Sequence, residues 1–190
     1  IFNCISSIDG LIQGDEKYNA TRYLNKFAKL IRNVLDSSKS PTIELTKDTE
    51  TLQLYIDLEQ LRSENKYSTQ LHISDEMQNS DYRVPPLVIQ PFVENAIHHG
   101  LRNRQDNNGL LTIDILREED TICYTITDNG IGRTASAKLA KHNHQSYGIK
   151  MSTDRIKMFN LETTASVIIE DLFENEQASG TRVTVKLTIK

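Results

Sequence analysis

Two periodicities divide the chain. Up to about residue 65 the apolar positions recur at three- and four-residue steps: Phe2, Ile5, Ile8 and Ile12, then Tyr23, Leu24, Phe27, Leu30, Ile31, Val34 and Leu35, then Leu52, Tyr55, Ile56, Leu58 and Leu61. Steps of that size line one face of an α-helix, so this part predicts three helices. Gly14-Asp15 breaks the first and Ser37-Ser38-Lys39-Ser40-Pro41 ends the second. Thr46 or Asp48 offers an N-cap for the third, which runs toward Arg62. From Lys66 the period falls to two, in Tyr67, Thr69, Leu71 and Ile73, in Leu111, Ile113 and Ile115, and in Ile122, Tyr124 and Ile126. Alternation of that kind marks half-buried strands, with Arg117–Thr121 turning a hairpin between the last two. Val167-Ile168-Ile169 and a strand from Thr181, fed by a glycine turn at Ala178-Ser179-Gly180, bring the count to about five. Helical patterns near 85–99, 133–141 and 148–160 fall between them. Helices segregated over a mixed, largely antiparallel sheet predict an α+β protein built as an α/β sandwich, preceded by a helical region. The expected division is 1–65 and 66–190.

Composition narrows the partners. With 190 residues the chain can bury a sizeable core, and 26 acidic against 22 basic residues leave a net charge of −4. The basic residues are scattered, which gives no electrostatic footprint for nucleic acid or an anionic membrane. No apolar run approaches the roughly 20 residues needed to span a bilayer. Cys4 and Cys123 stand far apart in apolar patterns without metal-ligand spacing, which suits a reducing, cytoplasmic compartment. There is no internal repeat. Asn103–Gly109 and Lys138–Gln145 read as polar loops, and His142 and His144 in the second lack the neighbours a metal site needs.

Four segments carry candidate chemistry. Asp128-Asn129-Gly130-Ile131-Gly132 sets one carboxylate and two glycines directly after a strand. A carboxylate there can accept a hydrogen bond from an exocyclic amine such as that of adenine, and glycine lets backbone approach a ligand. Asp-Asn-Gly is also ordinary turn chemistry. Upstream, Pro85–Gly100 reads as one amphipathic helix in which Glu94, Asn95, His98 and His99 crowd the last turns, with Pro91 an awkward interior residue. In one reading Glu94 and Asn95 are a solvated face and the histidines are cations favoured by a helix C-terminus. In the other, Asn95 is an oxygen ligand for Mg²⁺, Glu94 orients or deprotonates an attacking group, and His98 or His99 lies near phosphate. Gly148 opens a third helix, whose N-terminus suits phosphate oxygens, or it is a plain loop residue. Arg155 in the same helix is a candidate for phosphate or for an ion pair. Gly180 precedes Thr181, whose hydroxyl can complete a base pocket.

In this order the four segments resemble the ATP-binding domain of the GHKL superfamily, with its Bergerat-type sandwich. Gln90-Pro91-Phe92-Val93-Glu94-Asn95-Ala96-Ile97-His98-His99-Gly100, together with the opening Ile1-Phe2-Asn3-Cys4-Ile5-Ser6-Ser7-Ile8, is similar to the LytS-type sensor histidine kinases within it. The resemblance covers essentially the whole chain. It implies ATP and Mg²⁺ as cofactors, with Asp128 on adenine, Thr181 assisting it, Gly130 and Gly132 shaping the turn, Asn95 on the metal, and Gly148 at the phosphate end. It also implies Glu94 as a base for phosphoryl transfer to histidine, His98 and His99 near phosphate, and a lid over the nucleotide at Lys138–Gln145. The expected partners are a second copy of the chain and a response regulator, of LytTR type. The family's acceptor histidine falls two residues before Ile1, so the resemblance sets it outside this chain, and it implies a parent anchored in a membrane by upstream segments. Ser6 departs from the family, which has a second asparagine there. A GHKL ATPase that couples hydrolysis to conformational change, or a non-catalytic dimerising scaffold, are the alternatives.

Overall fold

The computed structural model describes residues 17–63, 66–139, 147–161 and 166–189. The helix expected over Phe2–Ile12 lies outside them, as do Cys4, His142 and His144. Helix α1 (Lys17–Ser37) packs against α2 (Leu45–Arg62) through Tyr23, Leu30 and Leu58, with Phe27, Val34, Leu54 and Leu61 at the margins. The Lys26 ammonium pairs with the Asp57 carboxylate across the same seam. A two-residue strand β1 (Ile43–Glu44) precedes α2 and pairs with β3 (Arg83–Val84), tying the start of α2 to the segment that leads to the candidate site.

The main sheet contains β2 (Tyr67–Ile73), β4 (Gly109–Glu118), β5 (Thr121–Asp128), β6 (Val167–Glu174) and β7 (Gln177–Thr188), in the order β2-β4-β5-β7-β6. Only β2 and β4 run parallel, and the crossover that parallel pairing requires holds the short helix α3 (Asp75–Gln78), β3 and the helix α4 (Gln90–Asn95). The period of two works as the sequence implies: Leu111, Ile113 and Ile115 of β4 stand level with Asp128, Ile126 and Tyr124 of β5, and the last two with Val183 and Val185 of β7. That row faces the helices. Leu45, Leu52 and Ile56 of α2, Phe92 and Val93 of α4, and Ile156 of α6 (Tyr147–Asn160) fill the layer above it. The remaining helix, α5 (Gly132–Leu139), follows β5.

Several local readings need correction. Glu44, not Thr46 or Asp48, holds the N-cap position of α2, and the Asp48 side chain is buried instead. The segment 85–99 is not one helix. Pro85–Ile89 forms an irregular turn with Leu87 at φ 57°, α4 begins at Gln90, and a π-turn (Ala96–Gly100) and a 3₁₀ turn (Leu101–Asn103) follow. Pro91 therefore sits in the first helical turn, where its missing N–H costs nothing and its ring causes no kink. Ala178-Ser179-Gly180 is strand, not turn. The chain reverses at Asn175-Glu176, both at positive φ, and a bulge at Leu172/Phe173 lies opposite Gly180.

Because α2 shares its apolar surface between two clusters, truncating the face toward α1 should loosen α1 selectively. Leu58→Ala should cost about 2–5 kcal/mol. Hydrogen exchange should show α1 amides losing protection while β4 and β5 keep theirs. Equal loss in the sheet would mean that α1 and α2 unfold with it as one unit.

Candidate functional site

The strand alternation that buries Ile122, Tyr124 and Ile126 carries on to Asp128, so the carboxylate is set on the core side of the sheet and is only 4 % exposed. Backbone rather than side chains surrounds it. A Cβ on Gly100 would come within 2.6 Å of Asp128 Oδ1, and one on Gly130 would meet that atom at 2.6 Å and the Gly100 Cα at 2.4 Å. Gly180, at φ 141°, passes so near that a Cβ there would fall 1.9 Å from the Asp128 carbonyl oxygen. The Gly130 N–H donates to Oδ1 at 2.8 Å, while Oδ2 takes no hydrogen bond among the described residues. Burial pushes the carboxyl up to about 6, against the Gly130 N–H that favours its charged form. Thr181 is the direct cross-strand neighbour of Asp128.

Two contacts fix the turn that launches α4. Asp48 Oδ1 accepts the Leu87 N–H at 2.7 Å, and Arg155 Nη1 donates to the Pro86 carbonyl at 2.8 Å. Arg155 thus serves the backbone, with Asp48 as the nearby charge that feels it; burial raises the Asp48 carboxyl to about 6, and Arg155 works against that rise. Along α4 and its π-turn the four polar candidates divide between two faces. Half-buried His98 meets α2, and exposed Glu94, one turn before it, is near enough for its charge to add, after burial and Glu59, to the rise of the Tyr55 phenol. Half-buried Asn95 and exposed His99 lie on the adjoining face.

His98 has specific company. Its Nε2 lies 3.0 Å from Arg62 Nη2 and 3.4 Å from Glu59 Oε2, and its Nδ1 lies 3.2 Å from Arg102 Nη1. Burial lowers its pKa to about 4, aided by Arg62 and Arg102, so the ring is neutral at pH 7. The sequence reading missed these partners, since nothing in the local pattern links residues 36 positions apart. It also missed Arg104. That side chain donates to the Asn129 carbonyl and grips Asp106, while Asn129 Oδ1 accepts the Leu110 N–H and its Nδ2 donates to the Asn108 carbonyl. The polar loop 103–109 is therefore a clasp on the Asp128 turn. Gly132, at φ 75°, begins α5 against Ala178, and the next residue, Arg133, forms a two-point ion pair with Asp171 of β6. Gly148 lies in the first turn of α6 and is half-buried.

The structure brings Asp128, Gly130, Gly180 and Thr181 together around one carboxylate, and adds Gly100. It turns His98 toward α2. Among the described residues no three His, Cys, Asp or Glu side chains meet as a metal cage. No helix of the described residues is long and apolar enough to cross a membrane.

A family model described as histidine kinase matches residues 1–67. The sensor protein LytS of Staphylococcus epidermidis is 34% identical over 131 residues, which cover 69% of this chain and 22% of that protein. The chain thus spans about a fifth of the length of this curated relative. Among solved structures, the histidine kinase domain of the blue-light activated histidine kinase of Erythrobacter litoralis EL346 aligns with a TM-score of 0.52 at 14% identity, over 93% of this chain and 82% of that one. Histidine kinase ThkA, solved in complex with the response regulator protein TrrA, aligns at 0.52 and 14% over 99% of this chain and 58% of that one. At such identities the likeness is one of fold, that of histidine kinase catalytic domains with their mixed sheet under helices.

The raised Asp128 carboxyl has a sign that can be measured. The folded state binds its proton more tightly than the unfolded chain does, so this group's contribution is full below about pH 4 and is lost as pH rises through about 6. Asp128→Asn removes that loss, up to about 3 kcal/mol at pH 7.5, and its amide oxygen can still accept the Gly130 N–H. The variant should melt higher than wild type at pH 7.5, with the gap closing at pH 4. A gap that does not change with pH would exclude burial of charge as the cause.

Proposed function

We propose that this chain, which belongs to the LytS-type sensor histidine kinases, binds Mg-ATP and passes the γ-phosphoryl group to a histidine, from which an aspartate of a response regulator receives it. The observation that carries the reading is the buried Asp128 carboxylate with one oxygen committed to Gly130 and the other taking no hydrogen bond among the described residues. Charge at that depth is costly without a donor, and the amine of adenine is a donor of the right kind. The glycines at 100, 130 and 180 let backbone close on this residue, where any Cβ would collide with the carboxylate or with neighbouring backbone.

Thr181, across the ladder from Asp128, would assist in holding the base. Gly132 would shape the exit from the turn, and Gly148 with the first turn of α6 would meet phosphate oxygens. Asn95 would supply the protein oxygen to Mg²⁺, with His99 beside it on the same face. The metal's chemistry when bound is neutralisation of phosphate charge. Glu94 would take the proton that an acceptor imidazole sheds from one ring nitrogen as the other attacks phosphorus. Its position on the face toward α2 supports that role, because the helical region is where an acceptor histidine would arrive. His98, on the same face, would act beside it.

Supporting a regulator as partner, ThkA was solved with its response regulator, and we extend that to a LytTR-type regulator here. The exposed Tyr18, Leu24 and Leu35 of α1 support a homodimer through the helical region. We also propose a cytoplasmic location for this part of a membrane-anchored parent.

Label from γ-labelled ATP and Mg²⁺ should appear on a chain extended upstream through the expected acceptor. Nucleotide binding without label would point to hydrolysis or to a scaffold. Asn95→Ala should reduce Mg²⁺-dependent labelling by about a hundredfold while metal-free nucleotide binding changes about twofold or less. Equal loss of both would remove Asn95 from the metal.

A further inference from the structure

We propose that Glu59 and Arg62 of α2 are positioning residues for phosphoryl transfer, acting through His98: the buried pair fixes this imidazole and, through it, the setting of the helix that carries Glu94 and Asn95. The proposal rests on the reading of that helix as the magnesium and nucleotide helix.

The pair is buried, with side chains 9% and 12% exposed. A buried ion pair stabilises a fold little or not at all relative to apolar residues of the same size. The seam around it is not optimised for stability either, since Arg62 Nε and the Tyr55 hydroxyl are buried without a hydrogen-bond partner among the described residues. What the pair does achieve is specificity at His98. A neutral imidazole has one N–H and one lone pair, and guanidinium groups only donate. Arg102 Nη1 lies 3.2 Å from Nδ1 and Arg62 Nη2 lies 3.0 Å from Nε2, so the ring accepts from one guanidinium and packs against the other. The Glu59 carboxylate approaches Nε2 at 3.4 Å as a close contact. Arg62 Nη2 lies within 3.4 Å of both ring nitrogens, which sets it against the ring rather than along one lone pair. The ring is held from α2 and from Arg102 together.

The anchor sits where the helix is least able to orient itself. Ala96–Gly100 is a π-turn, wider than an α-turn by one residue, and its N-cap makes no side-chain hydrogen bond. Rotation of this turn is therefore decided by side-chain packing, and His98 is its polar contact with α2. Glu94 lies one turn before His98 on the same face, and Asn95 is the next residue. Because Leu58 on α2 also packs against Tyr23 and Leu30 of α1, a shift of the helical region reaches the nucleotide helix through this pair.

The test uses Arg62→Met and the double variant Glu59→Gln/Arg62→Met. In the full-length kinase, Arg62→Met should lower kcat for labelling by about tenfold to a hundredfold and change KM for ATP by about twofold or less. The double variant leaves no unpaired buried charge, so it should recover the wild-type melting temperature but not kcat. In the present chain, imidazole ¹⁵N shifts should show neutral His98 held in a single tautomer at pH 7, and that signature should be lost in Arg62→Met. Recovery of kcat together with stability in the double variant, or an unchanged His98 signature in Arg62→Met, would overturn the proposal. A wild type that takes no label would instead overturn the kinase reading, and the proposal with it.

Discussion

A carboxylate on the core side of a β-sheet is the constraint around which this molecule is arranged. Asp128 occupies the next inward position after Ile122, Tyr124 and Ile126, where an apolar side chain would satisfy packing. Keeping it there needs backbone close on every side and an N–H to hold one oxygen, and those demands explain the glycines at 100, 130 and 180 together. Each belongs to a different element: the end of the π-turn, the loop after β5, and the bulged strand β7. The carboxylate thus ties three distant parts of the chain to one point. The Arg104 and Asn129 hydrogen bonds add a fourth, the loop before β4.

Helix α2 is the second organising element, because it has two apolar faces. Leu45, Leu52 and Ile56 enter the core over the sheet, whereas Leu58 joins α1. The helical region and the sheet layer therefore share a helix rather than meet at a linker. Its polar residues follow the same logic: Asp48 near its start holds the Leu87 N–H, and Glu59 and Arg62 near its end meet His98. Both ends of the segment carrying Glu94 and Asn95 are held from one helix.

The strands were legible in the sequence, since half-buried strands must alternate and these do. The hairpin of β6 and β7 was not, because its turn uses Asn175 and Glu176 at positive φ without glycine, and Gly180 nearby looked like the turn. The segment 85–99 shows the opposite failure. Leu87 and Val88 fall at helical spacing, but Pro85-Pro86 and Pro91 leave the backbone no regular start before Gln90. Spacing counts apolar positions and is blind to missing N–H donors.

For the site, the sequence by itself determined the kinds of chemistry available: an acid and glycines after a strand, and an amide and an acid on a helix. It also determined which face Asp128 would take, because the period of two is a local property of extended chain. Only the tertiary structure decided that Gly100 and Gly180 close on that carboxylate, that Arg155 holds a carbonyl, and that His98 answers to Glu59 and Arg62. Those facts depend on contacts between residues far apart in the chain, and such contacts are fixed by packing rather than by local pattern.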